Sequence, residues 1–323
     1  MTMKMMTAAM ALLLGGALTA QADAREINLA HLAPINDPRH ETLVEFAEQV
    51  KEETGGEITV KIFPNSTLGK DREVFEQLQG GLTQLALNGE IVSNFYPKWS
   101  IINLPFFWRD QDHLNAFLAS DTAKGWTEDM AEQAGVRTLA FLNRNPRILS
   151  TKETEVNSVD DIQGLKIRVP RIDIYMDTWR AFGVQPTPLS SSEFFLALKT
   201  GTVDGMENPI EVMHDWKIYE VAGNLSLTNH MQTRLFLNAS VSFLDSLSEE
   251  HRKVIVDAAA DAETRHAEKM SRISGEYVAL LREKGMTIVE DPDVFGFKER
   301  AEEVHEAYRE VIGNDVFEAA KSM

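Results

Sequence analysis

Cysteine is absent from all 323 residues. That excludes disulfides, thiol nucleophiles, thiolate metal sites and attachment of lipid to an N-terminal cysteine. Positive charge is also scarce: 32 Lys and Arg stand against 50 Asp and Glu, a net charge of −18. A field of that sign repels nucleic acid and anionic lipid surfaces, so neither is expected as a partner. Beyond the N-terminal segment no apolar run is long enough to cross a bilayer. The run from Ile101 to Trp108 is less than half of the roughly 20 residues required, and no stable membrane insertion is expected. Catalytic signatures are missing too: there is no G-x-S-x-G elbow, H-E-x-x-H pair, Walker loop or G-x-G-x-x-G. Gly69-Lys70 resembles the end of a phosphate loop, but Asp71 follows where Ser or Thr is needed. The eight histidines have no metal-pair spacing on an expected helix. These absences favour binding over catalysis, with no cofactor and no metal. An exported enzyme on an α/β scaffold is the alternative class.

What is present begins with an export signal. Lys4 supplies a positive start, Ala8 to Leu18 an apolar stretch, and Ala22-Asp23-Ala24 a small-residue cleavage site, with Ala20-Gln21-Ala22 as its rival. Removing residues 1–24 takes away one Lys and one Asp, so the charge stays at −18. A soluble periplasmic protein is expected. Without disulfides it must rely on a packed core, and its length suits two ordinary domains.

The mature chain alternates strand and helix. Ile27–Ala30, Ile58–Phe63 and Gln84–Leu87 read as strands. Leu43, Phe46, Ala47 and Val50 mark a helix ended by Gly55-Gly56, and residues 71–79 form another. The rhythm predicts a mostly parallel sheet covered by helices. It restarts with strands at Arg137–Leu142 and Leu165–Val169, helices near 172–182 and 192–200, and an extended stretch from Gln185 to Leu189. Pro186 and Pro188 confine that stretch to a sheet edge. From Ser248 to Lys284 there is no Pro and one internal Gly, Gly275. An uninterrupted helix there would reach about 50 Å, across both domains, unless it breaks at Ser274-Gly275. A strand at Thr287–Val289 and a helix from near Phe297 close the chain.

Arg168 is the most informative residue. In Gly164-Leu165-Lys166-Ile167-Arg168-Val169-Pro170 it ends a half-buried strand. A guanidinium there needs an anion, and its planar fork suits a carboxylate. From these residues alone, an internal Asp or Glu serves as well as a ligand. His31 closes the first strand at the mouth of a βα loop, where open α/β sheets bind ligands.

The stretches GLKIRVP and PTPLSSSEFFLALKTGTVDGMENP occur in that order. With INLAHLAPINDPRHETLVEFAEQVKEETGG, LPFFWRDQDHL and LSEEHRKVI, they closely resemble the extracytoplasmic substrate-binding proteins of tripartite ATP-independent periplasmic (TRAP) transporters. The resemblance covers essentially the whole mature chain. It implies a periplasmic-binding-protein-like α/β fold of two domains hinged around a cleft, with a long C-terminal helix spanning both. Residues 25–147 with about 233–272 would form domain I, and 148–232 with about 273–323 domain II. It implies a monomer that closes on a small organic acid and delivers it to the transporter's membrane subunits; presentation to a sensor is a variant of that role. Arg168 matches the signature arginine that binds the ligand carboxylate, and Asn208 the asparagine lining the same site. Arg147 matches a second arginine, with Arg144 as its rival, and Glu90 matches a position that contacts ligand polar groups. His31, Asn145, Glu90 and Ser190 to Ser192 offer partners for hydroxyls. Sialic-acid-type members carry an aromatic where this chain has Ser191, which disfavours that ligand. A hexuronate or aldonate is the leading expectation. C4-dicarboxylates, and keto or aromatic acids stacked on Phe107, Trp108 or Tyr175, are the alternatives.

Overall fold

A computed structural model describes residues 24–323; the expected export signal lies outside the described residues except for Ala24. In chain order the strands are β1 (Arg25–His31), β2 (Ile58–Phe63), β3 (Leu85–Asn88), β4 (Val136–Asn143), β5 (Arg147–Thr151), β6 (Lys166–Val169), β7 (Gln185–Pro188), β8 (Gly205–Pro209), β9 (Asn224–Met231), β10 (Arg234–Ser240) and β11 (Thr287–Val289). They form two sheets, ordered β2-β1-β3-β10-β4 and β11-β9-β5-β8-β6-β7. The chain passes between the sheets at 144–146 and again at 232–233, each time through only a few residues. Such short crossings suit a hinge between two lobes.

Local chemistry explains the elements that frame the cleft. Asp37 caps the helix Pro38–Glu53, its carboxylate accepting from Arg39 N at 3.0 Å, and Leu43, Phe46 and Val50 turn inward. Ser248 caps the helix Glu249–Ile273, accepting from His251 N at 3.1 Å. Ala258, Ala259 and Ala262 are buried; these small residues allow the helix to lie close against β4 and the helix Pro38–Glu53. A short 3-10 turn, Ser274–Glu276, interrupts it at the expected break, and Tyr277–Glu283 continues onto the second sheet's lobe. The long helical segment therefore spans both lobes. The helix Phe295–Ile312 also joins them, with His305 Nε2 bonded to Pro105 O at 2.7 Å and Tyr308 Oη donating to Asp177 at 2.8 Å.

Sequence periodicity misjudged one feature. The first sheet is parallel only through β2-β1-β3, because β10 runs antiparallel between β3 and β4. In the second sheet β5 is antiparallel to both neighbours. Neither β5 nor β10 announces itself by alternation. All residues of β5 and β10 are buried, and the inward polar groups are satisfied locally; Asn238, for example, donates to Asn88 Oδ1 at 3.0 Å and accepts from Thr138 at 2.8 Å. β7 does sit at the sheet edge, as its prolines require. Phe107, Trp108 and Tyr175 are core residues.

Gly205, in the Asp-Gly-Met-Glu-Asn-Pro stretch, is needed for close passage of β8 beside β5. A Cβ there would lie 2.6 Å from Ser150 O and 2.9 Å from Ile167 Cδ1. Gly205→Ala should cost about 1–3 kcal/mol of stability through overpacking. Gly275→Ala, where an added Cβ meets nothing within 4 Å, should gain up to about 1 kcal/mol. Urea unfolding of both variants checks the pair.

Candidate functional site

The two sheets present their strand ends to a common cleft. Its empty volume is about 1120 Å³, with the open mouth included. His31 enters from the end of β1, Glu90 from just beyond β3, Arg147 from the start of β5, Arg168 from β6 and Asn208 from β8. Ser190 to Ser192 follow β7 along another wall. Six of the seven expected site residues thus line one cavity. Asn145 does not; its side-chain amide donates to Glu211 at 2.9 Å.

Most of the positive charge here is already matched. Arg147 grips the Glu207 carboxylate with two parallel bonds, Nε at 2.5 Å and Nη2 at 2.7 Å, and donates from Nη1 to Glu90 at 3.0 Å. Arg144 donates to the same Glu90 oxygen at 2.8 Å and lies 3.6 Å from Glu211. Burial would raise the Glu90 and Glu207 pKa values, but the arginines more than offset it and hold both below the usual carboxylate range. His230 completes the group, its Nε2 3.3 Å from Glu207, with burial keeping the ring neutral.

Arg168 differs. It is 2% exposed, yet no carboxylate among the described residues lies within salt-bridge distance. Nε and Nη2 both donate to the Leu189 carbonyl, at 2.9 and 2.5 Å, and Nη1 donates to no described group. The Phe194 ring lies 5.0 Å from its Cζ. Burial, with Arg147 adding to it, brings its pKa down to about 10, so it remains a cation at neutral pH. Burial without an acid is not enough to mark a ligand site. Arg234 is equally buried, but it donates to Gln111, Asn115 and Thr233 and lines no part of the cavity. Arg168 combines an unspent edge with an open space.

Asp71 is a lining residue that motif reading passed over except as a broken phosphate loop. It accepts from Asn88 at 2.9 Å and Gly89 N at 3.2 Å, and burial pushes its pKa up to about 6. Only the fold brings it from the start of its helix to the cavity wall. His31 Nε2 lies 3.0 Å from His40 Nδ1, and burial lowers its pKa to about 3, so it is a neutral hydrogen-bonding group. Among the described residues no group of three or more His, Asp or Glu is arranged to hold a metal.

The bacterial extracellular solute-binding protein, family 7, model matches residues 29–311. The chain belongs to that family. It is 31% identical over 264 residues to a solute-binding protein of Roseobacter denitrificans, covering 82% of this chain and 81% of the relative. It is 28% identical to the sialic acid-binding periplasmic protein of Vibrio cholerae, over 93% of each chain. A TRAP periplasmic solute-binding protein from Roseobacter denitrificans, solved with bound L-galactonate, superposes with a TM-score of 0.87 at 29% identity, covering 92% of this chain and 98% of that one. One from Polaromonas, bound to D-erythronate, gives 0.89 at 28% identity, covering 93% and 99%. The family places the protein among substrate-binding components of transporters. No helix among the described residues is long and apolar enough to cross a membrane.

The raised pKa of Asp71 has a sign. In the unfolded chain it ionises near 3.8, in the folded chain near 6. Its contribution to stability is therefore fully present below about pH 4 and lost as pH rises through about 6. Asp71→Asn should remove that loss. The stability difference between variant and wild type, by urea unfolding of the ligand-free protein, should shift in favour of the variant between pH 4 and pH 7.

Proposed function

We propose that this family member captures a hydroxylated monocarboxylate, a sugar acid such as a hexuronate or aldonate, and hands it to TRAP membrane subunits without chemically altering it. The observation that carries this reading is Arg168: a buried cation with no acidic partner, facing a cavity. A ligand carboxylate would supply the missing charge, and the guanidinium could meet it in a charge-assisted contact. Arg147 and Arg144 add positive potential, but their forks stay with Glu207 and Glu90. Asn208, Ser191, His31 and Asp71 are proposed as partners for hydroxyls, with Glu90 chiefly holding the arginines. The relatives' galactonate and erythronate are acids of this kind. A C4-dicarboxylate fits less well, since a second carboxylate would have to compete with Glu90 for its arginines.

Binding would begin in an open, hydrated cleft and proceed by closure of the lobes around the acid. Contacts such as Lys70 to Glu193 at 3.1 Å and Asn36 to Asp215 O at 3.0 Å join the two sides across the mouth and would form on closure. We assign residues 25–143 with 234–273 to one lobe and 147–231 with 277–289 to the other, the last two helices bridging them. The N-terminal signal would deliver the chain to the periplasm, where it acts as a monomer after cleavage near Ala24.

Isothermal titration of the mature protein with galactonate, glucuronate, galacturonate and malate tests the reading. A sugar acid should bind, with malate at least about tenfold weaker. Arg168→Ala should cost about 3–5 kcal/mol of binding by leaving the carboxylate buried and unpaired. Arg168→Lys should weaken binding at least about tenfold, because the fork is lost. Near-wild-type affinity in Arg168→Lys would remove Arg168 from the central role.

A further inference from the structure

From Arg168 a continuous stack runs to the opposite lobe. The Arg168 guanidinium lies against the Phe194 ring at 5.0 Å. Phe194 is stacked on Trp216, with centroids 5.3 Å apart and planes 23° from parallel. The Arg39 guanidinium lies over the Trp216 ring at 5.8 Å. Asp37 pairs with Arg39 and accepts the Trp216 indole N–H at 3.2 Å. Arg168, Phe194 and Trp216 belong to the lobe of the second sheet. Asp37 and Arg39 belong to the loop and helix that follow β1, in the other lobe.

We propose that Trp216 is a positioning residue that ties occupancy of Arg168 to closure of the cleft. The inference rests on the reading of the cavity as a carboxylate site that closes. Opening the cleft must break the indole bond to Asp37, because its two partners lie on opposite lobes. Asp37 is fully ionised, its carboxylate held below the usual range by Arg39 against the pull of burial, so the bond is charge-assisted. Phe194 transmits the link: its ring touches both the guanidinium and the Trp216 indole. When a ligand orders Arg168, it orders the stack against which the loop of Asp37 docks. Trp99, Trp108, Trp126 and Trp179 are all buried in the core. Trp216 is the tryptophan that lines the cleft, so it should also report closure by its emission.

Stopped-flow tryptophan fluorescence and isothermal titration, on wild type and Trp216→Phe, with galactonate, glucuronate and galacturonate as probes, test this. Trp216→Phe keeps a ring on Phe194 and removes the N–H. The expected result is a ligand-dependent emission change in wild type that disappears in the variant. Affinity, measured by isothermal titration, should be about tenfold weaker in the variant, the factor expected from one hydrogen bond to a charged acceptor. Binding by wild type with an emission change that survives in Trp216→Phe, or an unchanged affinity in a variant that melts within a few degrees of wild type, would overturn the proposal while leaving the carboxylate site intact. Failure of wild type to bind any of the acids calorimetrically would overturn both.

Discussion

The site depends on how its buried charges are balanced. Arg144, Arg147 and Arg168 are buried around one cavity, in a protein whose net charge is −18. Left together they would repel one another in a medium where water cannot screen them. Glu90, shared between Arg144 and Arg147, and Glu207, gripped by Arg147, neutralise most of that repulsion. Buried pairs of this kind add little net stability over an apolar core, but breaking one is costly. Their use here is positional. They hold the two matched arginines on protein carboxylates and leave the third one, Arg168, as the cation still wanting an anion.

That balance also explains how an acidic protein can attract an acid. Its overall field opposes approach of an anion, but at physiological salt the field fades over about 8 Å. What remains is local: a partly dehydrated guanidinium whose attraction is strengthened by the walls around it. A negative surface with one unmatched cation inside selects for short-range fit rather than for long-range charge. Hydroxyl-bearing acids suit such a cavity because its other walls offer Asn208, the serines, a neutral His31 and the Asp71 carboxyl.

Much of this was legible in the chain, and what was not has physical reasons. Arg168 stood out from its own strand pattern, and the family resemblance of GLKIRVP and DGMENP pointed to Arg168 and Asn208 together. The helix break at Ser274-Gly275 and the edge position of β7 followed from Gly and Pro chemistry. The strands β5 and β10 escaped, because burial on both faces erases the alternation that marks a half-exposed strand. The pairing of Arg147 with Glu207 could not be read, since it joins residues 60 positions apart on neighbouring antiparallel strands. For the same reason Asp71 and Trp216 gave no signal: each owes its place to a contact with a distant segment. Asn145 was read as a cavity residue from its neighbourhood in sequence. Its side-chain amide is taken up by Glu211 instead, a residue 66 positions away.

The most direct measurement is a crystal structure of the mature protein with a bound sugar acid. The ligand carboxylate should lie within about 3 Å of the Arg168 guanidinium, with Arg147 still on Glu207 and Glu90. A carboxylate seated on Arg147 instead, or a protein acid turned in to satisfy Arg168 while the ligand lies elsewhere, would contradict it.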